Sequence, residues 1–266
     1  MNSTLLKANI KFNWIPFAAI LFMIMIYVSA AIAMFNPEDA ASIQAVFSMM
    51  PEGMVKAFGF DGLGTNLTTY LASYFYGFIL LVFPLIYTII AANSLVAGHV
   101  DKGSMAYLLS TPNTRGKIIT TQAAYFILST TALLGFITSI IVVLCAILWP
   151  GHLEIGSFLV LNLVTLLLLI AVGSVSFLSS CIFNDAKYSL AFGAGIPVLF
   201  VMLKIISEIG SGVEFFKYMS PYTLLDTNKI LNNIPYGLIL SLVLLFVAAC
   251  IFALSAYIFK RKNLNI

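Results

Sequence analysis

Only 9% of the 266 residues are charged, and the mean hydropathy is +1.05. Soluble domains carry about 25% charged residues, so this composition excludes a soluble fold and points to an all-α membrane protein occupying 1–266 as one transmembrane domain. The net charge of +3 reflects where a few lysines sit along the chain and is no nucleic-acid footprint.

Six apolar runs, at roughly 14–35, 70–92, 118–148, 157–183, 189–206 and 236–259, each reach the about 18 residues that make a bilayer span plausible. Ahead of the first, Leu6, Ile10 and Trp14 recur at spacing four, with Lys7 and Lys11 on a neighbouring face. The first fourteen residues are therefore expected to form a short interfacial helix, its lysines toward lipid headgroups and Trp14 as an interface anchor. The same lysines, followed by an apolar run and Ala31-Ile32-Ala33, also look like a secretory signal. That run exceeds the roughly 7–15 residues of such a signal's apolar region, so the first helix is expected to be retained.

The segment 36–69 is long for a connector. Asn36-Pro37-Glu38-Asp39 has the makings of a helix start: a capping side chain, a proline at the first turn, and acids at the positive end of the dipole. Ile43, Val46, Phe47 and Met50 follow as an apolar stripe, Pro51 and Gly53 break it, and Gly59, Gly62 and Gly64 mark a flexible return. One or two short amphipathic helices against the outer membrane face are expected there. Residues 149–155 read as a tight turn, and Asn184-Asp185-Ala186-Lys187 as a minimal loop. Between spans 5 and 6, the stretch 207–235 holds Gly210, Gly212, Pro221 and Pro235, yet its middle from Phe215 to Leu225 is apolar. An interfacial or partly re-entrant segment fits, provided protein buries its irregular backbone.

Alternating spans put Lys7, Lys11, Lys102, Arg115, Lys117, Lys187, Lys260, Arg261 and Lys262 on one side, and Lys56, Lys204, Lys217 and Lys229 on or near the other. The positive-inside rule then places both termini in the cytoplasm. The acids are a consistency check: Asp101 and Asp185 fall inside, and Glu38, Asp39, Glu52, Asp61, Glu154, Glu208, Glu214 and Asp226 outside.

Conventional catalytic motifs are missing. The sequence has no GxxxxGK[ST] phosphate loop, no HExxH and no GxSxG. His99 and His152 fall on opposite sides of the membrane and cannot share a metal. Cys145, Cys181 and Cys250 lack metal-type spacing and read as packing residues. The span centres lack the ionisable groups of a proton pump or ion-coupled carrier. Lys204, near the outer end of its span, is expected to snorkel to the interface. Thr131, Gly135 and Ser139 recur every four positions, a spacing that permits close helix approach.

The richest segment is 93–117. After Gly103 a short helical pattern places Met105, Leu108 and Leu109 on one face; Pro112 ends it, and Arg115 and Lys117 precede span 3. Such a helix, parallel to the inner membrane surface, either docks a cytoplasmic partner or lies in the headgroups.

The segment resembles the intracellular coupling region of ABC-2-type permeases, the membrane subunits of one class of ATP-binding-cassette transporters. Gly103-Ser104, Leu108-Leu109-Ser110-Thr111-Pro112 and Arg115 match the family pattern. His99 stands where the family usually has glutamate, and Gln122 where a lysine often opens span 3. Six spans with both ends inside, Ser220-Pro221 before the last helix, and the closing Phe259-Lys260-Arg261-Lys262-Asn263-Leu264 extend the resemblance over the whole chain; Asn263 replaces the usual acid. The resemblance implies a coupling helix between spans 2 and 3, with His99, Asp101, Lys102, Gly103, Ser104, Met105, Tyr107, Leu108, Leu109, Pro112 and Arg115 facing or shaping the ATPase contact. It implies two separately encoded ATPase subunits, which hold the ATP and Mg, and a second permease copy or paralogue in a bacterial cytoplasmic membrane. It further implies outward movement of a hydrophobic or amphipathic cargo, with peptides among the family's cargoes. Competing classes are a membrane-embedded enzyme, for which the spans hold no paired nucleophile and base, and a scaffold, receptor-like or immunity protein without transport activity.

Overall fold

The computed structural model describes residues 3–35, 49, 66–110, 114–209 and 213–262. The helix expected from Asn36, the prolyl stop at Pro112, Gly210, Gly212 and the closing Asn263-Leu264 lie outside them. The helices are α1 (Ser3–Ala33), α2 (Leu67–Tyr76), α3 (Ile79–Leu95), α4 (Ala97–Asp101), α5 (Ser104–Ser110), α6 (Arg115–Leu148), α7 (Ile155–Ile182), α8 (Ala186–Ile209), α9 (Thr227–Asn232) and α10 (Ile234–Arg261). No strand occurs among the described residues. Six helical stretches are long and apolar enough to cross a membrane: α1, α3 with α4, α6, α7, α8 and α10.

Burial sorts these spans into centre and rim. In the most apolar windows, 61% of span 2 and 56% of span 4 are buried, against 22–28% of the other four. Span 4 (α7) packs against α10, α8, α3 and α6, and span 1 packs against α6 and α3. The rim helices turn large apolar side chains outward, among them Phe22 and Ile26 of α1, Phe136 and Ile147 of α6, Phe192 and Met202 of α8, and Leu242 and Phe246 of α10. A surface of that kind is stable in lipid. Thr131, Gly135 and Ser139 also lie exposed on the outward face of α6, against no helix among the described residues.

Residues 3–14 are helical as expected, but they run into span 1 without a break, with Pro16 inside the helix. Ile10 and Trp14 are exposed, while Leu5, Asn9 and Asn13 are buried. Spacing four defines more than one face on the same helix. The one that packs inward is the one whose carboxamides find partners on neighbouring helices, where low dielectric strengthens such bonds.

The apolar run 70–92 is a single span by composition but two helices in the fold. Phe78 leaves helical geometry at φ −137°, ψ −52°. The Leu81 amide turns to the Phe78 carbonyl at 3.2 Å, which deprives the Gly77 carbonyl of its helical donor. Lys204 of α8 replaces that donor, Nζ donating to the Gly77 oxygen at 3.0 Å. Lys204 is therefore buried rather than snorkelled, with Glu208 at 3.9 Å. An orphaned carbonyl in apolar surroundings holds the ammonium inside.

Ser3 and Lys262 lie on one face of the bundle, here the terminal face. On the opposite face, Phe35 packs edge-on to Trp149 at 5.4 Å and against Tyr70 at 5.1 Å. Trp149 Nε1 donates to the Ile32 carbonyl at 3.2 Å, and the Tyr70 hydroxyl to that of Ala31. These aromatics clamp the ends of α1, α2 and α6, in the manner of an interfacial belt. Residues 149–154 make the tight turn expected, with Gly151 at φ 82°. Between spans 5 and 6 the chain forms two short 3-10 turns, Glu214–Met219 and Pro221–Leu224, and then α9. Ser220 Oγ donates to the Phe200 carbonyl of span 5, and Tyr222 and Ile230 are fully buried, while Phe215 and Tyr218 point outward.

Candidate coupling site

On the terminal face the chain leaves span 2 and builds an arm of two short helices before span 3. Val96 breaks the helix at φ −126°, ψ −68°, α4 follows, and Gly103 makes the elbow at φ 68°. A side chain is costly in that left-handed region, and glycine carries no such penalty. His99 and Ser104 staple the elbow. The Ser104 hydroxyl donates to the His99 carbonyl at 3.1 Å and accepts from the ring's Nδ1 at 2.9 Å. His99 thus spends one nitrogen inside the arm, where the family's usual glutamate could only accept a bond.

The arm is rooted in the bundle. Val96, Ala97, Val100 and Met105 are buried, and Leu108 and Leu109 rest partly buried against the core. The Ala97 amide donates to Ser180 Oγ of span 4 at 2.8 Å. The apolar face composed of Met105, Leu108 and Leu109 is therefore engaged with this chain's own spans. The large side chain left outward on α5 is Tyr107, 79% exposed, flanked by exposed Ala106 and Ser110; Asp101 and Lys102 are exposed beside the elbow. Arg115 stands apart from this group. Its guanidinium donates to the carbonyls of Lys262, at 2.7 Å, and Lys260, at 3.5 Å, and so ties the start of span 3 to the end of span 6.

A second constellation lies just inside the bundle, at the root of the arm. Asn9 Nδ2 donates to Gln122 Oε1, joining spans 1 and 3. Asn13 Nδ2 donates to the Asn9 carbonyl at 3.1 Å, and Ser94 Oγ of span 2 donates to Asn13 Oδ1 at 2.8 Å. Asn9, Asn13 and Gln122 are fully or almost fully buried. Ser94 is three residues before Ala97, so spans 1, 2 and 3 are bonded to one another where the arm begins, and span 4 joins through Ser180. Sequence reasoning found Gln122 only as a departure from the family and missed Asn9, Asn13, Ser94 and Ser180. The available signal was the pair of carboxamides at spacing four, Asn9 and Asn13, on α1.

His99 and His152 stand at opposite ends of the bundle, and no group of three or more metal-ligating side chains gathers among the described residues. The exposed arm is thus rooted in several spans by buried contacts. The family model for the ABC-2 family transporter protein matches residues 6–264. The chain belongs to the ABC-2 transporter family. It is the membrane component of an ABC transporter, a multi-pass transport subunit without its own nucleotide site, and the family works with an ABC ATPase. No curated protein matches the chain.

Proposed function

We propose that this ABC-2 subunit is an exporter permease of a bacterial cytoplasmic membrane, with both termini cytoplasmic, moving a hydrophobic or amphipathic cargo outward. Peptides are a cargo class of similar permeases. Two ATPase subunits engage two permease chains, copies or paralogues, and hold the ATP and Mg. The observation that carries the reading is the stapled arm α4–α5, exposed at Tyr107 and bonded at its root to spans 1 to 4. Closure of the ATPases on ATP displaces α5. The His99–Ser104 staple keeps α4 and α5 moving together. The Ala97–Ser180 and Ser94–Asn13 bonds carry the displacement into the spans.

The purified chain alone is expected to show no ATP hydrolysis and to acquire it with a separate ATPase subunit in proteoliposomes. Robust hydrolysis by the isolated chain would refute the reading. Orientation is tested independently. In a Cys250→Ser background, cysteines introduced as Asn2→Cys or Asn265→Cys should resist a membrane-impermeant maleimide in intact cells, and Ala40→Cys should react. Labelling of either terminus in sealed cells reverses the orientation.

A further inference from the structure

Five cations gather on the terminal face from two stretches distant in sequence: Arg115 and Lys117 at the start of α6, and Lys260, Arg261 and Lys262 at the close of α10. Specific contacts hold Arg115, Lys260 and Lys262 together, and Lys117 is exposed beside them on α6. Arg115 is bonded to the carbonyls of Lys260 and Lys262, and Lys262 Nζ donates to the Phe183 carbonyl at 2.7 Å, beyond the end of span 4. The Lys260 stem lies over Gly116, where an added Cβ would sit 3.0 Å from Lys260 Cε. Glycine at 116 thus lets that ammonium come down beside the start of α6.

Among the described residues no carboxylate lies within ion-pair distance of any of the five; the ion pairs found there, Lys204–Glu208 and Lys229–Asp226, belong to the opposite face. Burial draws the Lys262 ammonium down to about 8. Arg261 shows the level at which the cluster sits. Its guanidinium lies 4.4 Å from the ring centre of Tyr257, which is exposed on the outward apolar face of span 6. A tyrosine and an arginine at the end of an outward-facing span mark the headgroup layer, where lipid phosphates lie.

We propose that Lys117, Lys260 and Arg261 form a binding site for the phosphate of an anionic phospholipid in the leaflet on the terminal face. Arg115 and Lys262 act by positioning: Arg115 Nη1 bonds the carbonyls of Lys260 and Lys262, and Lys262 Nζ bonds that of Phe183. Phosphatidylglycerol, with one net negative charge at the phosphate, fits; phosphatidylcholine carries its own ammonium and is disfavoured. The site rests on the membrane embedding of the family, and the proposed orientation adds only that the leaflet is the cytoplasmic one.

The test is native mass spectrometry of the permease released from nanodiscs of phosphatidylglycerol or phosphatidylcholine, with lipid affinity read by titration. The wild-type chain is expected to prefer phosphatidylglycerol. A Lys117→Gln/Lys260→Gln variant should bind it about tenfold more weakly or worse, since each basic group near an anionic headgroup contributes roughly fivefold. Gly116→Val keeps every charge but displaces the Lys260 stem, and a loss of severalfold is expected. Lys229→Gln, on the opposite face, should change nothing, and excess inorganic phosphate should not displace the lipid. Equal affinity for both lipids, an equal loss in Lys229→Gln, or displacement by phosphate alone would each overturn the site. Loss of ATPase binding in the double variant with phosphatidylglycerol affinity unchanged would also overturn it and make the cluster a protein contact. Failure of the hydrolysis or maleimide experiments leaves these lipid readouts unaffected, so the two readings fail separately.

Discussion

Tyr107→Ala is expected to weaken binding of the ATPase subunit by about 2 kcal/mol or more, roughly thirtyfold in Kd. Tyr107 is the large side chain that α5 turns away from the bundle. Rigid aromatics with an apolar body and a polar tip dominate such interfaces when a partner pocket desolvates them. Leu108→Glu should also abolish coupling, by a different route. Leu108 rests against the core, so a carboxylate there must either be buried at high cost or lift α5 off the bundle. The two variants are separated by measuring ATPase binding to nanodisc-embedded permease alongside the permease's own thermal unfolding. Tyr107→Ala should lose binding at unchanged stability, and Leu108→Glu should lose both. Wild-type binding and transport in both variants would remove the arm from the coupling role. His99 is expected to tolerate Asn better than Ala, because an amide donor can still reach the Ser104 hydroxyl.

The six spans were legible because hydropathy over some twenty residues is what a bilayer selects. The tight turns were legible because short polar breaks between such runs leave the chain little choice. The arm between spans 2 and 3 could be located from Gly103 and the Met105, Leu108, Leu109 stripe, but its facing could not. An apolar stripe states that something covers it and not what does. Here the chain's own spans cover it, and that leaves Tyr107 outward. The polar root of the arm was hidden for a related reason. Asn9 and Gln122 are 113 positions apart, and no local pattern announces a bond of that range. The break at Gly77–Phe78 was not read from a run whose composition is that of one span. Its traces in the sequence were Gly77, a single glycine that an apolar helix tolerates, and a lysine in a distant span, which composition assigns more readily to snorkelling.

That lysine gives the largest stability effect expected from one side chain. Lys204→Met keeps the length and apolar stem but removes the donor to the Gly77 carbonyl, held at 3.0 Å. A hydrogen bond from a charged donor is worth about 1.5–3 kcal/mol, and in lipid the freed carbonyl finds no water to replace it. The same change strips Glu208 of the cation at 3.9 Å, although its side chain keeps 30% exposure and part of its hydration. The combined cost is expected at about 2–3 kcal/mol, a fall in Tm of roughly 5–10 °C for a domain of this size. Lys204→Arg keeps a donor within reach of Gly77 and should recover most of the loss. Glu208→Gln should cost less than Lys204→Met, because it leaves the Gly77 bond intact. Thermal unfolding in mild detergent measures all three. A lysine snorkelling into the interface would give a different ranking: Met nearly neutral, within about 0.5 kcal/mol as for ordinary surface positions, and Arg indistinguishable from it. A loss for Met that Arg restores therefore shows that the ammonium bridges spans 2 and 5 where span 2 is broken.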